Sequence, residues 1–198
     1  MPSPAHRLIA ELLDRFAPAD AREARALAEM RAALRAPADP TSPATMPGHF
    51  TAAGVVVSAA PPARVLLILH RKLGLWLPPG GHLDPADGGD PLRTAVREVR
   101  EETGAEARPH PDAPTPFDVD AHTIPARPEM PEHRHLDLRF LLVADAEAPL
   151  HRQEAETLGL RWATLSEELL AALAPDLAAP LRRARDYAPQ GGGGRRVV

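Results

Sequence analysis

Three glutamates lie close together in the segment REVREETG, residues 97–104. Glu98, Glu101 and Glu102 are spaced at i, i+3 and i+4, which places side chains on one face of an α-helix. Carboxylates gathered on one face repel each other unless they face water or are paired with arginines or a multivalent cation. Carboxylate oxygens suit hard cations such as Mg²⁺ and Mn²⁺, which in turn bind phosphate groups.

A turn rich in glycine and proline, LPPGGH, precedes these glutamates. Gly80 and Gly81 allow the backbone to approach a bound ion or phosphate closely. The helix by itself has a simpler interpretation, a solvent-facing surface whose glutamates pair with nearby arginines. The adjacent turn favours a cation site, because an ordinary surface helix does not need it.

The helix that carries the glutamates is predicted to run from Pro91 to Thr103. Asp90 is suited to cap its free N–H groups, and proline is common at the first helical position. Gly104 is the residue type expected where a helix ends in the left-handed conformation. The helix has one apolar stripe, formed by Leu92, Ala95, Val96, Val99 and Thr103.

The remaining segments predict an α/β fold. Five segments have strand patterns: 50–59, 63–72, 117–124, 135–145 and 156–165. The fourth alternates as a half-buried strand would, with Leu136 and Leu138 on one face and Asp137 and Arg139 on the other. Further helices are predicted at 166–173 and from about Ala178 to Tyr187.

The chain divides into three regions. Residues 1–47 contain two amphipathic helices and a proline-rich linker, an extension expected to serve in packing or in oligomer formation. Residues 48–188 form the main domain, and residues 189–198 contain four consecutive glycines and are expected to be a flexible tail.

Composition excludes several classes of protein. The 198 residues carry a formal net charge of -4, which gives no support for a nucleic-acid partner. The chain has no cysteine, which excludes disulfides and thiolate zinc sites and is compatible with a cytoplasmic location. The N-terminus lacks a signal-peptide pattern, and the apolar runs are too short to span a bilayer, so no membrane partner is expected.

The segment GGHLDPADGGDPLRTAVREVREETGA resembles the Nudix box, G-x5-E-x7-R-E-U-x-E-E-x-G-U, of the Nudix hydrolases. Gly81 fits the opening glycine, and the second half of the box matches at Arg97, Glu98, Val99, Glu101, Glu102 and Gly104. Three departures occur: Asp87 replaces the loop glutamate, nine residues instead of seven separate it from Arg97, and Ala105 is a small residue at a bulky position.

The resemblance implies a Nudix-type α/β/α sandwich with a mixed sheet and hydrolysis of a small-molecule diphosphate substrate with Mg²⁺ or Mn²⁺. Glu98, Glu101 and Glu102 would bind the cation, together with a carbonyl of Gly80 or Gly81. Arg97 would pair with the glutamates and orient them. Family members are often dimers, which leaves a homodimer open.

Many family members recruit a further acidic residue from a loop before a later strand. Glu156 lies six residues before Trp162, the spacing associated with that residue. Glu156 is therefore a candidate metal ligand or general base, Glu98 is the rival base, and Glu154 is the fallback. A solvated glutamate with no such role is the simpler interpretation.

Candidate substrate-binding residues lie outside the glutamate helix. Arg71 ends a predicted strand just before the glycine turn, and His82 follows the glycines. His135 and Asp137 lie on a strand that borders the cleft in this fold. His133 and His135 also form a His-x-His pair on one strand face, which raises the alternative of a zinc site, although nothing else in the sequence completes a zinc signature.

The residues outside the box do not identify the substrate. Motifs associated with coenzyme A, dinucleoside polyphosphate, ADP-ribose and NADH hydrolysis are all absent. A Nudix-fold binding or regulatory module without catalysis remains an alternative, although all three box glutamates are retained. An isomerase of isopentenyl diphosphate that shares the fold uses a cysteine, and this chain has none.

Overall fold

The computed structural model of the protein describes residues 3–128 and 130–189. The predicted tail therefore lies, apart from residue 189, outside the described residues. The helices over this range are Pro4–Arg15 (α1), Ala21–Arg35 (α2), Pro91–Thr103 (α3), Glu167–Ala172 (α4) and Pro175–Tyr187 (α5). The strands are Gly48–Ser58 (β1), Arg64–His70 (β2), Trp76–Leu77 (β3), Gly80–His82 (β4), Arg108–Pro109 (β5), Asp118–Ile124 (β6), His133–Ala144 (β7) and Thr157–Thr164 (β8).

The eight strands form one mixed sheet. β1 and β7 are parallel neighbours, in a register that places His49 opposite His135. The other pairings are antiparallel: β1 with β2 and β4, β7 with β5 and β6, and β2 with β3 and β8. The predicted α/β fold class with a mixed sheet is thereby confirmed.

Each face of the sheet is covered by helices. Successive residues of a strand point to opposite faces, so β7 contributes Leu138 and Leu142 to one core and Leu141 and Val143 to the other. The first core includes residues of α1, α2 and α3, and the second includes residues of α4 and α5. No helix in the described ranges is long and apolar enough to cross a membrane.

The two N-terminal helices pack into the first core. Ile9, Leu13 and Met30 are fully buried in the same cluster as residues of β1 and α3. α2 is also held at the edge of the sheet, where the Arg22 guanidinium donates to the backbone carbonyl of Val119 in β6. The N-terminal extension therefore completes one side of the sandwich.

The structure confirms the predicted bounds of α3. The Asp90 side chain accepts a hydrogen bond from the Leu92 N–H at 2.9 Å, and Gly104 takes a left-handed φ of 72° at the C-terminal end. α5 begins at Pro175 instead of the predicted Ala178, because proline is tolerated at the first position of a helix. The three shortest strands, β3, β4 and β5, were not predicted, since two or three residues show no alternation.

The expectation that β7 is half-buried is wrong. Its Asp137 and Arg139 are only 7% and 6% exposed, although they lie on the predicted polar face. Carboxylates of the adjacent strand β6 pair with Arg139 there, and the backbone carbonyl of Asp176 in α5 accepts a further hydrogen bond from it. Ion pairing, instead of water, thus satisfies the polar residues of this face.

Candidate active site

Two glutamates of α3, Glu98 and Glu102, lie against the backbone of β4. A Glu102 carboxylate oxygen accepts a hydrogen bond from the Gly80 N–H at 2.9 Å. A Cβ atom placed on Gly81 would lie 2.5 Å from Oε1 of Glu98, so a side chain cannot be accommodated at this position without displacing the glutamate. The glycines therefore allow close contact between the helix carboxylates and the strand backbone.

Negative charge at this contact exceeds the available positive charge. Glu98 and Glu102 are only 9% and 2% exposed, and burial raises the pKa of both carboxyls, that of Glu102 to about 8. The Gly80 N–H opposes the rise at Glu102, whereas the charges of Glu98, Glu156 and Glu101 add to it. A set of buried oxygen ligands with excess negative charge fits a hard divalent cation such as Mg²⁺ or Mn²⁺.

Arg97 connects the helix to the preceding loop and to β4. Its Nε donates to the Asp87 carboxylate at 2.9 Å, and its Nη2 donates to the His82 carbonyl at 3.2 Å. Its Nη1 donates to Glu101 at 2.8 Å and lies 2.9 Å from an oxygen of Glu98. Asp87, which replaces the loop glutamate of the box, therefore holds the arginine that contacts two of the three glutamates.

The three glutamates occupy different environments. Glu98 and Glu102 are buried, whereas the Glu101 side chain is 45% exposed and paired with Arg97. Their oxygens do not form a closed ligand set. Within the described residues, the group of three ligating side chains with ligand atoms inside 4.8 Å of one another consists of histidines.

Of the two later glutamates, Glu156 is electrostatically linked to α3. It is exposed, and its negative charge contributes to the raised pKa of both Glu98 and Glu102. The Glu154 carboxylate is 82% exposed and lies 3.3 Å from Arg152. Between the two, the structure favours Glu156 as the neighbour of the buried carboxylates.

Arg71 binds the loop that carries Glu156. Its guanidinium donates to the Glu154 carbonyl from Nη2 at 2.7 Å and from Nε at 3.1 Å, and its backbone N–H donates to the Glu156 carbonyl at 2.8 Å. The predicted substrate-binding arginine thus holds the backbone on both sides of residue 155. Its contacts indicate a positioning role for the loop.

His82 and His135 belong to a cluster of imidazole rings on the other face of β4. Ring centroids lie 5.0 Å apart for His49 and His82, 5.0 Å for His49 and His135, and 5.1 Å for His133 and His135. Burial lowers the pKa of His49, and burial with the neighbouring imidazoles lowers that of His135 to about 2. These two rings are therefore neutral at physiological pH.

Sequence reasoning missed His49. This residue follows the proline-rich linker as a single histidine, with no local pattern that suggests a ligand. The parallel pairing of β1 and β7 places it opposite His135. Histidines on two strands could have been connected only by predicting that pairing.

Asp137, the remaining predicted substrate-binding residue, is already paired. Its carboxylate accepts hydrogen bonds from the Thr51 hydroxyl at 3.0 Å and from Nε of Arg139 at 3.0 Å. Arg139 in turn donates to Asp118 at 3.1 Å and to Asp120 at 3.0 Å. Asp137 is thus part of a buried ion-pair network that Arg22 and Arg183 extend to α2 and α5.

The family model described as NUDIX domain matches residues 48–184. Over 43 residues the chain is 62% identical to the mouse bis(5'-nucleosyl)-tetraphosphatase [asymmetrical], a match that covers 21% of this chain and 28% of that enzyme. Over 114 residues it is 28% identical to a putative 8-oxo-dGTP diphosphatase of Bacillus subtilis (strain 168), covering 57% of this chain and 66% of the relative. The matches thus span between about a quarter and two thirds of these relatives.

Solved structures share the fold. A NUDIX family hydrolase from Clostridium perfringens superposes with a TM-score of 0.54 at 22% identity, covering 70% of this chain and 96% of the other. A C. elegans Ap4A hydrolase in a binary complex gives a TM-score of 0.54 at 19% identity, with the same coverage of 70% and 96%. At these identities the likeness concerns the arrangement of helices and strands.

Proposed function

The chain belongs to the NUDIX family, and we propose that it is a hydrolase that cleaves a diphosphate bond with the help of Mg²⁺ or Mn²⁺. The observation that carries the proposal is the excess of buried negative charge beside the glycine backbone of β4. Glu98 and Glu102 are buried there with raised pKa values and too few cationic partners. A buried anionic cluster of this kind is costly unless a cation is bound.

The residues of the site would have different roles. Glu98, Glu102 and the carbonyl of Gly80 or Gly81 would hold the cation from within, and Glu101 would join them from the exposed side. A divalent cation bound there would neutralise phosphate oxygens and lower the pKa of a bound water that attacks phosphorus. Arg97 would keep the glutamates oriented through its contacts with the loop and with β4.

Glu156 is proposed as a further ligand or as the general base, because its charge acts on both buried glutamates. An exposed carboxylate at the edge of the site is accessible to substrate and to water. Arg71 would fix its position by binding the loop backbone. His82, which is exposed, remains a proposed substrate contact. The pairing of Asp137 gives it a structural role in this proposal, and His135, proposed from the sequence as a substrate contact, lies within the imidazole cluster and is not assigned one here.

The proposed substrates are small molecules with a nucleoside bound to a chain of two or more phosphates. Two relatives support this class, since their names describe a bis(5'-nucleosyl)-tetraphosphatase and a putative 8-oxo-dGTP diphosphatase. Both names describe a substrate in which a nucleoside carries several phosphate groups. The proposal therefore specifies the phosphate chain and leaves the base and the second moiety open.

A screen of nucleoside triphosphates, dinucleoside polyphosphates and nucleotide sugars with Mg²⁺ or Mn²⁺ tests this proposal. Glu101→Gln and Glu102→Gln are each expected to lower turnover of the best substrate at least about 100-fold, because each removes a metal ligand. Glu106→Gln, on an exposed residue just past α3, should keep wild-type turnover. Circular dichroism should show that all three variants remain folded, because none changes the apolar stripe of α3.

A binding module without turnover is the second candidate function. It is favoured by one observation, the pairing of Arg97 with Glu98 and Glu101, which partly neutralises the helix without a cation. In that case calorimetry would detect binding of a nucleotide that is not hydrolysed. Hydrolysis that is lost in Glu102→Gln would exclude the binding module.

A further inference from the structure

We infer that His49, His133 and His135 form a second metal site, suited to Zn²⁺ rather than Mg²⁺ and separate from the carboxylates of α3. The three residues come from the N-terminal ends of β1 and β7, which lie side by side in parallel. Each offers a ring nitrogen, and the three nitrogens lie within 4.8 Å of one another. Imidazole nitrogen is a preferred ligand of Zn²⁺ and a poor one for Mg²⁺.

The spacing of two of these nitrogens matches a zinc site. Nε2 of His133 and Nε2 of His135 are 3.3 Å apart. Two nitrogen ligands at about 2.0–2.1 Å from a tetrahedral zinc ion are separated by about 3.4 Å. A ring nitrogen of His49 lies within 4.8 Å of both, so the three surround one position.

The outer nitrogens of two rings are fixed by backbone carbonyls. Nδ1 of His133 is 2.9 Å from the Pro131 carbonyl, and Nδ1 of His49 is 3.2 Å from the Thr45 carbonyl. A carbonyl can only accept, so each Nδ1 carries the proton and each Nε2 has a free lone pair. Histidines that bind a metal usually donate their other ring N–H to a backbone carbonyl or a carboxylate in this way.

A hydrogen bond between His133 and His135 explains only part of this arrangement. It would satisfy the Nε2 of His133, but Nε2 of His49 is buried with no hydrogen-bond partner. His49 is fully buried, so this lone pair is also removed from solvent. A metal ion placed among the three rings satisfies all three nitrogens together.

The fourth position of the site is open to an exogenous ligand. His82 is the nearest further imidazole, with its ring 5.0 Å from that of His49. It is exposed at the rim and lies outside the group whose ligand atoms meet the 4.8 Å limit. A zinc ion with three protein ligands would therefore bind water or an oxygen of a bound small molecule in its fourth position.

The histidine site and the glutamate site lie on opposite faces of β4. Gly81 faces Glu98, and the next residue along the strand, His82, faces the imidazoles. The two sites also differ in ligand chemistry, with nitrogen in one and oxygen in the other. The inference therefore holds independently of the hydrolase proposal, and the two can fail separately.

Zinc titration of untagged, chelator-treated protein by calorimetry tests the inference. The wild type is expected to bind one equivalent of Zn²⁺ per chain, in the presence of excess Mg²⁺. His135→Asn and His49→Gln should each weaken zinc binding at least about 100-fold. Losing only a hydrogen-bond partner of a metal ligand already lowers metal affinity about 10- to 100-fold. The half-buried His135 provides a variant that folds if His49→Gln does not.

Two control variants locate the ion. His122→Gln removes a neighbouring ring, 5.6 Å from that of His135, which the inference excludes from the ligand set. It should keep wild-type zinc affinity, as should Glu102→Gln. Loss of zinc in His122→Gln, loss in Glu102→Gln, or no binding by the wild type would overturn the inference.

Cobalt substitution supplies an independent readout. Co²⁺ in a tetrahedral nitrogen site absorbs visible light far more strongly than octahedral Co²⁺. The wild type and His122→Gln are expected to give the intense spectrum, and His135→Asn the weak one. A weak octahedral spectrum in the wild type would contradict the site.

Discussion

Among the described residues, buried carboxylates lie in two regions. One is on α3 beside β4, and the other is on strands β6 and β7 together with Glu23 of α2. In the second region, Asp118, Asp120 and Asp137 all bind the guanidinium of Arg139. Arg22 and Arg183 add further positive charge from α2 and α5. Glu23 of α2, also fully buried, joins this network, and burial raises the pKa of Asp118 there to about 7. The arginines of the chain itself pair with each of these four carboxylates.

The glutamates of α3 lack this balance. Arg97 reaches Glu98 and Glu101, but Glu102 receives only a backbone N–H, and its pKa is raised to about 8 by burial and by neighbouring carboxylates. The comparison shows that a cluster of buried carboxylates indicates a cation site only when arginines of the chain do not already pair with them. By that criterion the α3 cluster is the better candidate for an external cation, because Glu102 has no arginine partner whereas each carboxylate around Arg139 has at least one.

Removing the central arginine of the balanced region should have the largest effect on stability. Arg139→Leu is expected to lower the free energy of unfolding by about 3–5 kcal/mol, because it leaves buried carboxylates without their partner. Arg152→Leu is the matched control, since Arg152 pairs with the exposed Glu154 and should change stability by less than about 1 kcal/mol. Equal unfolding midpoints for the two variants in urea would contradict the contrast.

Neutralising a glutamate of α3 should increase the free energy of unfolding. Glu102→Gln is expected to raise the free energy of unfolding of the metal-free protein at neutral pH by about 1–3 kcal/mol. With its pKa raised to about 8, Glu102 must either be buried as an unpaired carboxylate or take up a proton on folding, and glutamine avoids both costs. Urea unfolding in the presence of a chelator measures this, with the exposed Glu106→Gln as the control. A destabilised Glu102→Gln protein would show that its charge is already compensated within the chain.

Lowering the pH should reduce the stability contributed by the network around Arg139, by a smaller amount than these substitutions. Burial alone would raise the pKa of Asp120, but its bond with His122 and the charge of Arg139 hold the pKa below the ordinary range. A depressed pKa gives stability that is present above about pH 4, the ordinary aspartate pKa, and is lost as the pH falls below it.

Asp120→Asn cannot lose this contribution by protonation. Its free energy of unfolding should therefore fall less steeply than that of the wild type between about pH 5 and about pH 2, by a difference of about 1 kcal/mol. Urea unfolding across this range measures the slope, and Asp112→Asn, on an exposed loop residue, serves as the control. Parallel curves for wild type and Asp120→Asn would contradict the pairing.

The sequence predicted those features that depend on nearby residues. Asp90, Pro91 and Gly104 set the bounds of α3 through local capping, and the glycine turn and the glutamates lie within one short segment. His49 was missed because its relation to His135 exists only in the parallel pairing of β1 with β7.

The buried network around Arg139 could not be predicted for a related reason. Alternation along β7 correctly separated Asp137 and Arg139 from the apolar face, but it assigned that face to solvent. The partners in this network come from β6, α2 and α5, which are distant from β7 in the sequence. Periodicity within one strand contains no information about which elements cover its polar side.

Binding of Mn²⁺ measured by electron paramagnetic resonance tests the central claim most directly. We predict that Mn²⁺ binds the wild type and Glu106→Gln with equal affinity, and binds Glu102→Gln at least about 100-fold more weakly. His49→Gln should bind Mn²⁺ as the wild type does, because its imidazole lies on the other face of β4. Equal Mn²⁺ affinity in the wild type and Glu102→Gln would contradict a cation site on α3.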